Sequence, residues 1–264
     1  MCLIVFGYKV LKEYPLVLAA NRDEFYRRPT AAMQFWEACP DILTGKDLEQ
    51  GGTWFGIHKT GTFAALTNYR DPASLKQNAP SRGEIIIDFL NSDKSPKRFI
   101  HDFRPRAQLY NGFNLIFGNT DHLFWFTNLT GRIEEINPGI HGLSNRFLNT
   151  PWPKVESGKK ALEKILHGSI STDHLFSFLK DRSRPDDDRL PETGIGLEWE
   201  RILSPLFIES DTYGTRSSTA MLADRNGNMN ITERTYLKEQ RLGYKDLCFT
   251  IPAGNPKTLK PQKG

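Results

Sequence analysis

The chain opens with MCLIVFGYKVLKEYPLVLAANRDE, residues 1–24. Cys2 to Val10 and Leu16 to Asn21 are short runs rich in branched and aromatic side chains, the pattern of buried strands, with Leu11-Lys12-Glu13-Tyr14-Pro15 between them. A connection over 11–14 predicts a four-residue hairpin loop. Val10 then pairs with Pro15, paired residue numbers sum to 25, and Cys2 falls opposite Asp23. Opposed Cβ atoms lie about 5 Å apart, so a thiol and a carboxylate would meet there.

The place of Cys2 carries chemistry. Removal of Met1 leaves a cysteine whose own α-amine, with an ordinary pKa of about 7.7–8.0, can take the proton of a thiol of about 8.5. With Met1 attached that nitrogen is an amide, and the mechanism fails. A second reading stands beside this one: free cysteine packs like a small hydrophobe, and a first strand is an ordinary place for it.

The 264 residues suffice for one large domain with a sizeable core, expected over 1–252, followed by a disordered basic tail over 253–264. No stretch approaches the roughly 18 apolar residues of a membrane span, and the apolar run after Met1 is short for a secretory signal. Cysteines at 2, 39 and 248 form no CxxC pair and fit a reducing cytoplasm. A net charge of +4 with scattered basic residues and no recognised module argues against nucleic acid as partner. Asp186-Asp187-Asp188 lacks further ligands at suitable spacing, so no metal is expected.

Beyond the hairpin, Asn21 to Pro29 clusters charge directly after a run apolar enough to be buried on both faces. Arg22 with Asp23 or Glu24 reads equally as a structural ion pair or as an acid and a base lining a pocket. Ile42 to Gly52 reads as a polar loop, and 53–57 with 62–69 as a hairpin closed by Asn68. Asn68 either ends the strand through a local bond or donates to an oxyanion. Ser81 and Glu84 spell a capping box before a helix, and a second helix is expected within 93–103. A third hairpin is expected over 111–128, a strand over 131–136, and helices over 154–166 and 172–180, after which helical pattern ends. Residues 182–196 read as exposed loop. Strands over 213–224 and 229–236 flank Asn226-Gly227, and 248–251 is the last strand. Eight to ten antiparallel strands with helices mainly in the middle predict an α+β fold, two antiparallel sheets covered by helices.

Met1-Cys2, Asn21-Arg22-Asp23-Glu24, Gly51-Gly52-Thr53-Trp54, Leu66-Thr67-Asn68-Tyr69, Tyr110 to Asn114, Gly142-Leu143-Ser144-Asn145, Thr150-Pro151-Trp152 and Tyr213-Gly214-Thr215-Arg216 occur in order. Over about residues 1–236 the chain resembles the NRDE family, also called the Transport and Golgi Organization 2 family. That resemblance implies an N-terminal nucleophile hydrolase-like αββα sandwich, with penicillin V acylase and bile-salt hydrolase as mechanistic relatives. It further implies Cys2 as nucleophile, Asp23 orienting its amine, Asn68 and Asn145 as oxyanion donors and Arg216 as a charged support. Asn21, Arg22 and Trp54 would contact substrate. Those relatives carry an arginine three residues before the aspartate, where this chain has Ala20; its arginine is Arg22, which adjacent strand positions turn to the other face from Asp23.

The activity expected is hydrolysis of non-peptide carbon–nitrogen bonds in linear amides, without cofactor, in the cytoplasm. The rival expectation is a carrier that binds haem or an acyl lipid in the same pocket, lined by aromatics such as Phe35, Trp36, Trp54, Trp125 and Trp152.

Overall fold

The computed structural model describes residues 2–237 and 243–253. Met1 and the expected tail from residue 254 on lie outside the described residues. The first sheet contains β1 (Cys2–Tyr8), β2 (Leu16–Phe25), β10 (Gly139–Leu143), β11 (Tyr213–Ala223), β12 (Met229–Tyr236) and β13 (Tyr244–Ile251), in the order β10-β1-β2-β11-β12-β13. The second runs in chain order through β3 (Thr30–Phe35), β4 (Ile42–Asp47), β5 (Phe55–His58), β6 (Phe63–Asn68), β7 (Phe113–Gly118), β8 (Leu123–Thr127) and β9 (Ile133–Glu135). Every strand pair named is antiparallel.

Alternation sorts the side chains into layers. Ile4, Phe6, Leu16 and Leu18 pack between the sheets against Phe55, Ile57, Phe63 and Ile116. Leu3, Val5, Val17 and Ala19 face outward onto α3 (Pro153–Leu166) and α4 (Thr172–Leu179). The outer face of the second sheet is covered by α1 (Glu84–Leu90) and α2 (Pro96–Ala107), through Ile85, Phe89, Phe99 and Phe103. This is the four-layer αββα sandwich expected. Burying both faces of β1 and β2 is why those strands read as continuous apolar runs.

The first hairpin differs from expectation in one decisive respect. Its connection is seven residues, 9–15: Lys9 takes φ 51° and its N–H bonds to the Pro15 carbonyl at 2.7 Å. The Tyr8 hydroxyl and the Lys9 ammonium both donate to the Asp121 carbonyl, which ends β1 two residues early. Tyr8 therefore pairs with Leu16, paired numbers sum to 24, and Cys2 lies opposite Arg22, not Asp23. Because side chains alternate, that single step decides which of the two shares a face with Cys2.

Other differences have local causes. The segment read as a polar loop contains β4, whose Ile42, Leu43 and Thr44 are buried between β3 and β5. The helix expected from a Ser81 cap begins later, at Glu84, with Gly83 as its cap residue and no side chain capping it. Gly139–Leu143 is a strand beside β1. A further helix, α5 (Leu197–Leu203), follows Gly196, whose φ of 83° suits glycine. It buries only Glu200 and Leu203, too narrow a face to read as helical periodicity.

Candidate active site around Cys2

The start of β1, the end of β2 and the start of β11 meet at one end of the sandwich, beside a cavity of about 670 Å³. Its polar lining includes Cys2, Arg22, Asp23, Asn68 and Arg82, and its apolar lining includes Leu66, Leu75, Ile195, Trp199 and Leu203, together with Trp54. The rim exists because two glycines touch: a Cβ on Gly83 would lie 2.4 Å from the Thr53 nitrogen and 2.6 Å from its oxygen.

Cys2 is held from both sides. The Ser144 hydroxyl on the β10 side donates to the Cys2 carbonyl at 3.2 Å, and the Asp23 backbone N–H donates to the sulfur. Burial pushes the thiol up, the Asp23 charge adds to that, and Arg22 together with the Asp23 N–H pulls it down.

Asp23, on the neighbouring strand, is buried, 1% exposed. Its Oδ1 accepts from the Thr215 hydroxyl at 2.7 Å, and its backbone carbonyl from the Tyr213 hydroxyl at 2.9 Å. Burial raises its carboxyl, opposed first among protein side chains by Lys154. Lys154, at the start of α3, is 4% exposed and gives its ammonium to the Leu203 carbonyl at 3.0 Å. Burial pushes its pKa down to about 8, against the pull of Asp23. A buried carboxylate thus has a buried ammonium as countercharge, the arrangement under which both can stay ionised.

Arg22 points between the sheets beside Cys2, with its guanidinium 4.1 Å from the Trp54 ring centroid. Trp54 can lie there because Gly45 leaves the space: a Cβ at 45 would come within 2.6 Å of the indole. Asn68, on the last position of β6, faces the cavity.

Three expected site residues have other duties. Asn145 is fully buried and does not line the cavity; its amide donates to the Asn68 carbonyl at 2.8 Å, and its own carbonyl takes the Arg70 N–H. It therefore sets where Asn68 stands. Arg216 is the bulged residue of β11, and its guanidinium donates to the carbonyls of Phe25 and Arg28, holding the β2–β3 turn. Asn21 is 1% exposed, gives its amide to the carbonyls of Leu179 and Leu206, and accepts from Ser218. With every arm so engaged, it ties α4 and the segment after α5 to the sheet.

Sequence reading missed Lys154, Thr215, Tyr213 and Arg82. Thr215 and Tyr213 stand inside the motif that drew attention to Arg216, and Lys154 is two residues past Trp152. A charged residue at the first turn of an amphipathic helix gives no sign that its ammonium is buried. α5 closes the apolar side, and its Glu200 is anchored in a buried ion pair with Arg70, itself stacked on Trp152. Among the described residues no group of three or more His, Cys, Asp or Glu is placed to hold a metal. No helix there is long and apolar enough to cross a membrane.

Among solved structures, the chain superposes on the Cys2→Ala mutant of conjugated bile acid hydrolase from Clostridium perfringens with a TM-score of 0.51. That match covers 94% of this chain and 92% of that chain at 8% identity. The chain therefore has the αββα fold of that structure, and in this chain a cysteine opens a central strand. Sequence relationship is closer elsewhere. The family model described as Transport and Golgi organisation 2 matches residues 1–238, and the chain belongs to that family. It is 38% identical over 259 residues to the Transport and Golgi organization protein 2 homolog of Bos taurus, covering 90% of this chain and 94% of that protein. The homolog of Homo sapiens is 36% identical over 260 residues, with the same two coverages.

Proposed function

We propose that this chain is an N-terminal-cysteine hydrolase of linear, non-peptide amides, with Cys2 as nucleophile once Met1 has been removed. The observation that carries the reading is the placement of Cys2: first residue of a central strand, on a cavity wall, with the buried Asp23 on the neighbouring strand. In the proposed cycle the freed α-amine takes the thiol proton, and the thiolate attacks the amide carbonyl. Asp23 holds the resulting ammonium, and Asn68 donates to the oxyanion, a contact worth on the order of 3 kcal/mol in the transition state. The ammonium then protonates the leaving nitrogen, the carbon–nitrogen bond breaks, and a thioester remains on Cys2. Water activated by the same amine hydrolyses it and restores the thiol.

The apolar side of the cavity supports an acyl chain as one half of the substrate. The same feature favours a second reading, in which Met1 stays in place and the cavity carries an acyl lipid or haem without turnover.

Intact mass and an acyl-amide panel on wild type and Cys2→Ala separate the two. Hydrolase function predicts loss of Met1 and turnover that disappears in a Cys2→Ala protein of unchanged melting temperature. Turnover retained by Cys2→Ala would sink the nucleophile assignment. Retained Met1, no turnover and saturable binding of haem or acyl lipid would select the carrier.

A further inference from the structure

Two guanidinium groups on the cavity wall have no carboxylate ion-pair partner among the described residues. Of the charged side chains there, Arg28 pairs with Asp47 at 2.7 Å and Glu24 at 3.8 Å, and Asp23 is bonded to Thr215. Arg22 and Arg82 enter no ion pair with any described residue. Arg22 is 6% exposed, and its Nη1 is a buried donor without a hydrogen-bond partner among the described residues. Arg82 gives one nitrogen to the Gly112 carbonyl at 3.1 Å. The carboxyl that acts on Arg22 from β12 is Glu233, but its Oε2 is taken by the Met33 N–H at 2.7 Å, and its Oε1 reaches no donor. Burial pushes that carboxyl up, and it forms no ion pair with Arg22. A buried guanidinium with no carboxylate bonded to it is costly, and a forked donor on a cavity wall suits a planar carboxylate.

We propose that Arg22 and Arg82 bind an anionic group of the ligand, a carboxylate lying within a few bonds of the carbonyl that Cys2 contacts. The spacing follows from the strand register: Cys2 and Arg22 are direct cross-strand partners, with Cβ atoms about 5 Å apart. Resting on the amide-hydrolase reading, the substrate class narrows to N-acyl α-amino acids, whose carboxylate is one carbon from the scissile nitrogen and whose acyl chain would lie on the apolar wall.

The anion site is tested without turnover. Iodoacetate and iodoacetamide alkylate the same thiolate with loss of iodide, so the ratio of their rates at one cysteine cancels the thiolate fraction and reports the local attraction for a carboxylate. Cys248, exposed, supplies the reference ratio in the same tube, read by peptide mass mapping. The Cys2 ratio is expected to exceed that of Cys248 by about tenfold. It should fall towards the Cys248 value in Arg22→Met and in Arg82→Met, the latter remaining informative should Arg22→Met fail to fold. N-acetylglycine should slow iodoacetamide labelling of Cys2 more than N-acetylethanolamine does. Equal ratios at Cys2 and Cys248 in wild type, or a high ratio unchanged in Arg82→Met and in folded Arg22→Met, would overturn the anion site. Protection by inorganic phosphate equal to that by N-acetylglycine would overturn the carboxylate assignment. A high, arginine-dependent ratio in a protein that hydrolyses no amide leaves the anion site standing and removes the hydrolase reading. Turnover with equal ratios does the reverse.

Discussion

Cys2 and Arg22 face each other across the first ladder of the sheet, while Asp23, one residue on, is bonded through its carboxylate to Thr215 on β11. The sulfur and the guanidinium share the face between the sheets. The carboxylate belongs to the layer under α3, with Lys154 as countercharge. Charge on the two sides of β2 is therefore separated: the Asp23 carboxylate lies with Thr215, and the Arg22 guanidinium lies with Trp54.

Thr215 is the hinge of the Asp23 side. Its hydroxyl donates to Asp23 at 2.7 Å and accepts the Ile208 N–H at 2.9 Å. Thr215→Val keeps the shape and removes both bonds. It should lower stability by about 1–3 kcal/mol and reduce the turnover number more than it changes KM. Urea unfolding and steady-state kinetics on the best amide of the panel check it; a pure KM effect would contradict the assignment.

Asn21 should behave as a structural residue. Asn21→Leu leaves the carbonyls of Leu179 and Leu206 without the Asn21 amide and leaves the Ser218 hydroxyl with Tyr236 alone. The expected loss is about 3 kcal/mol or more, since each buried polar group left unpaired costs about 1–3 kcal/mol. Ligand affinity of the fraction that remains folded should be unchanged. A stable Asn21→Leu protein with weakened binding would restore the expectation drawn from its place in the motif.

Lys154 gives a signature in alkali. Its pKa is down at about 8 in the fold, against about 10.4 in an unfolded chain. Below pH 8 both states carry the proton, and the fold bears the whole cost of burying the charge. Between about pH 8 and 10 the native state releases it first, the unfolded state binds more protons, and stability rises with pH. The rise amounts to on the order of 2 kcal/mol by pH 10. The Cys2 thiol, pushed up by burial, opposes this from about its ordinary value of 8.5, and Tyr213 does so above about 10, so the Lys154 effect is the difference between wild type and a Lys154 variant. Denaturant unfolding at a series of pH values should show wild type gaining stability relative to Lys154→Met across this range; parallel curves would refute the placement.

Gly45→Ala should dislodge Trp54, because the new Cβ falls 2.6 Å from its ring. The indole would leave the Arg22 guanidinium, with a change in tryptophan emission and a loss of about 1–2 kcal/mol from the cation–π contact. Unchanged emission together with unchanged ligand binding would show that Trp54 does not depend on the gap at residue 45.

How far the site was readable varies residue by residue. Cys2, Asp23, Arg22, Trp54 and Asn68 could be named from their motifs, and all five line one cavity. Asn145 and Arg216 could be named but not given their duties, because whether an amide or guanidinium meets a ligand or a backbone carbonyl depends on where distant segments lie. The β4 strand was hidden by its polar Thr44-Gly45-Lys46-Asp47, although Thr44 is buried and its hydroxyl is bonded to the Phe55 carbonyl.

The apolar runs of 1–21, the hairpin turns and the helix spacings determined by themselves that two antiparallel sheets would lie under helices, since burial on two faces leaves no room for polar alternation. They also set a cysteine at the head of a central strand. Register was another matter. Whether Cys2 stands opposite residue 22 or 23 turned on Lys9 adopting φ 51° and on Tyr8 and Lys9 reaching Asp121, contacts across more than a hundred residues of chain. Strand periodicity is two, so an apolar run fits either register until the turn closes; tertiary structure alone placed the guanidinium, not the carboxylate, beside the thiol.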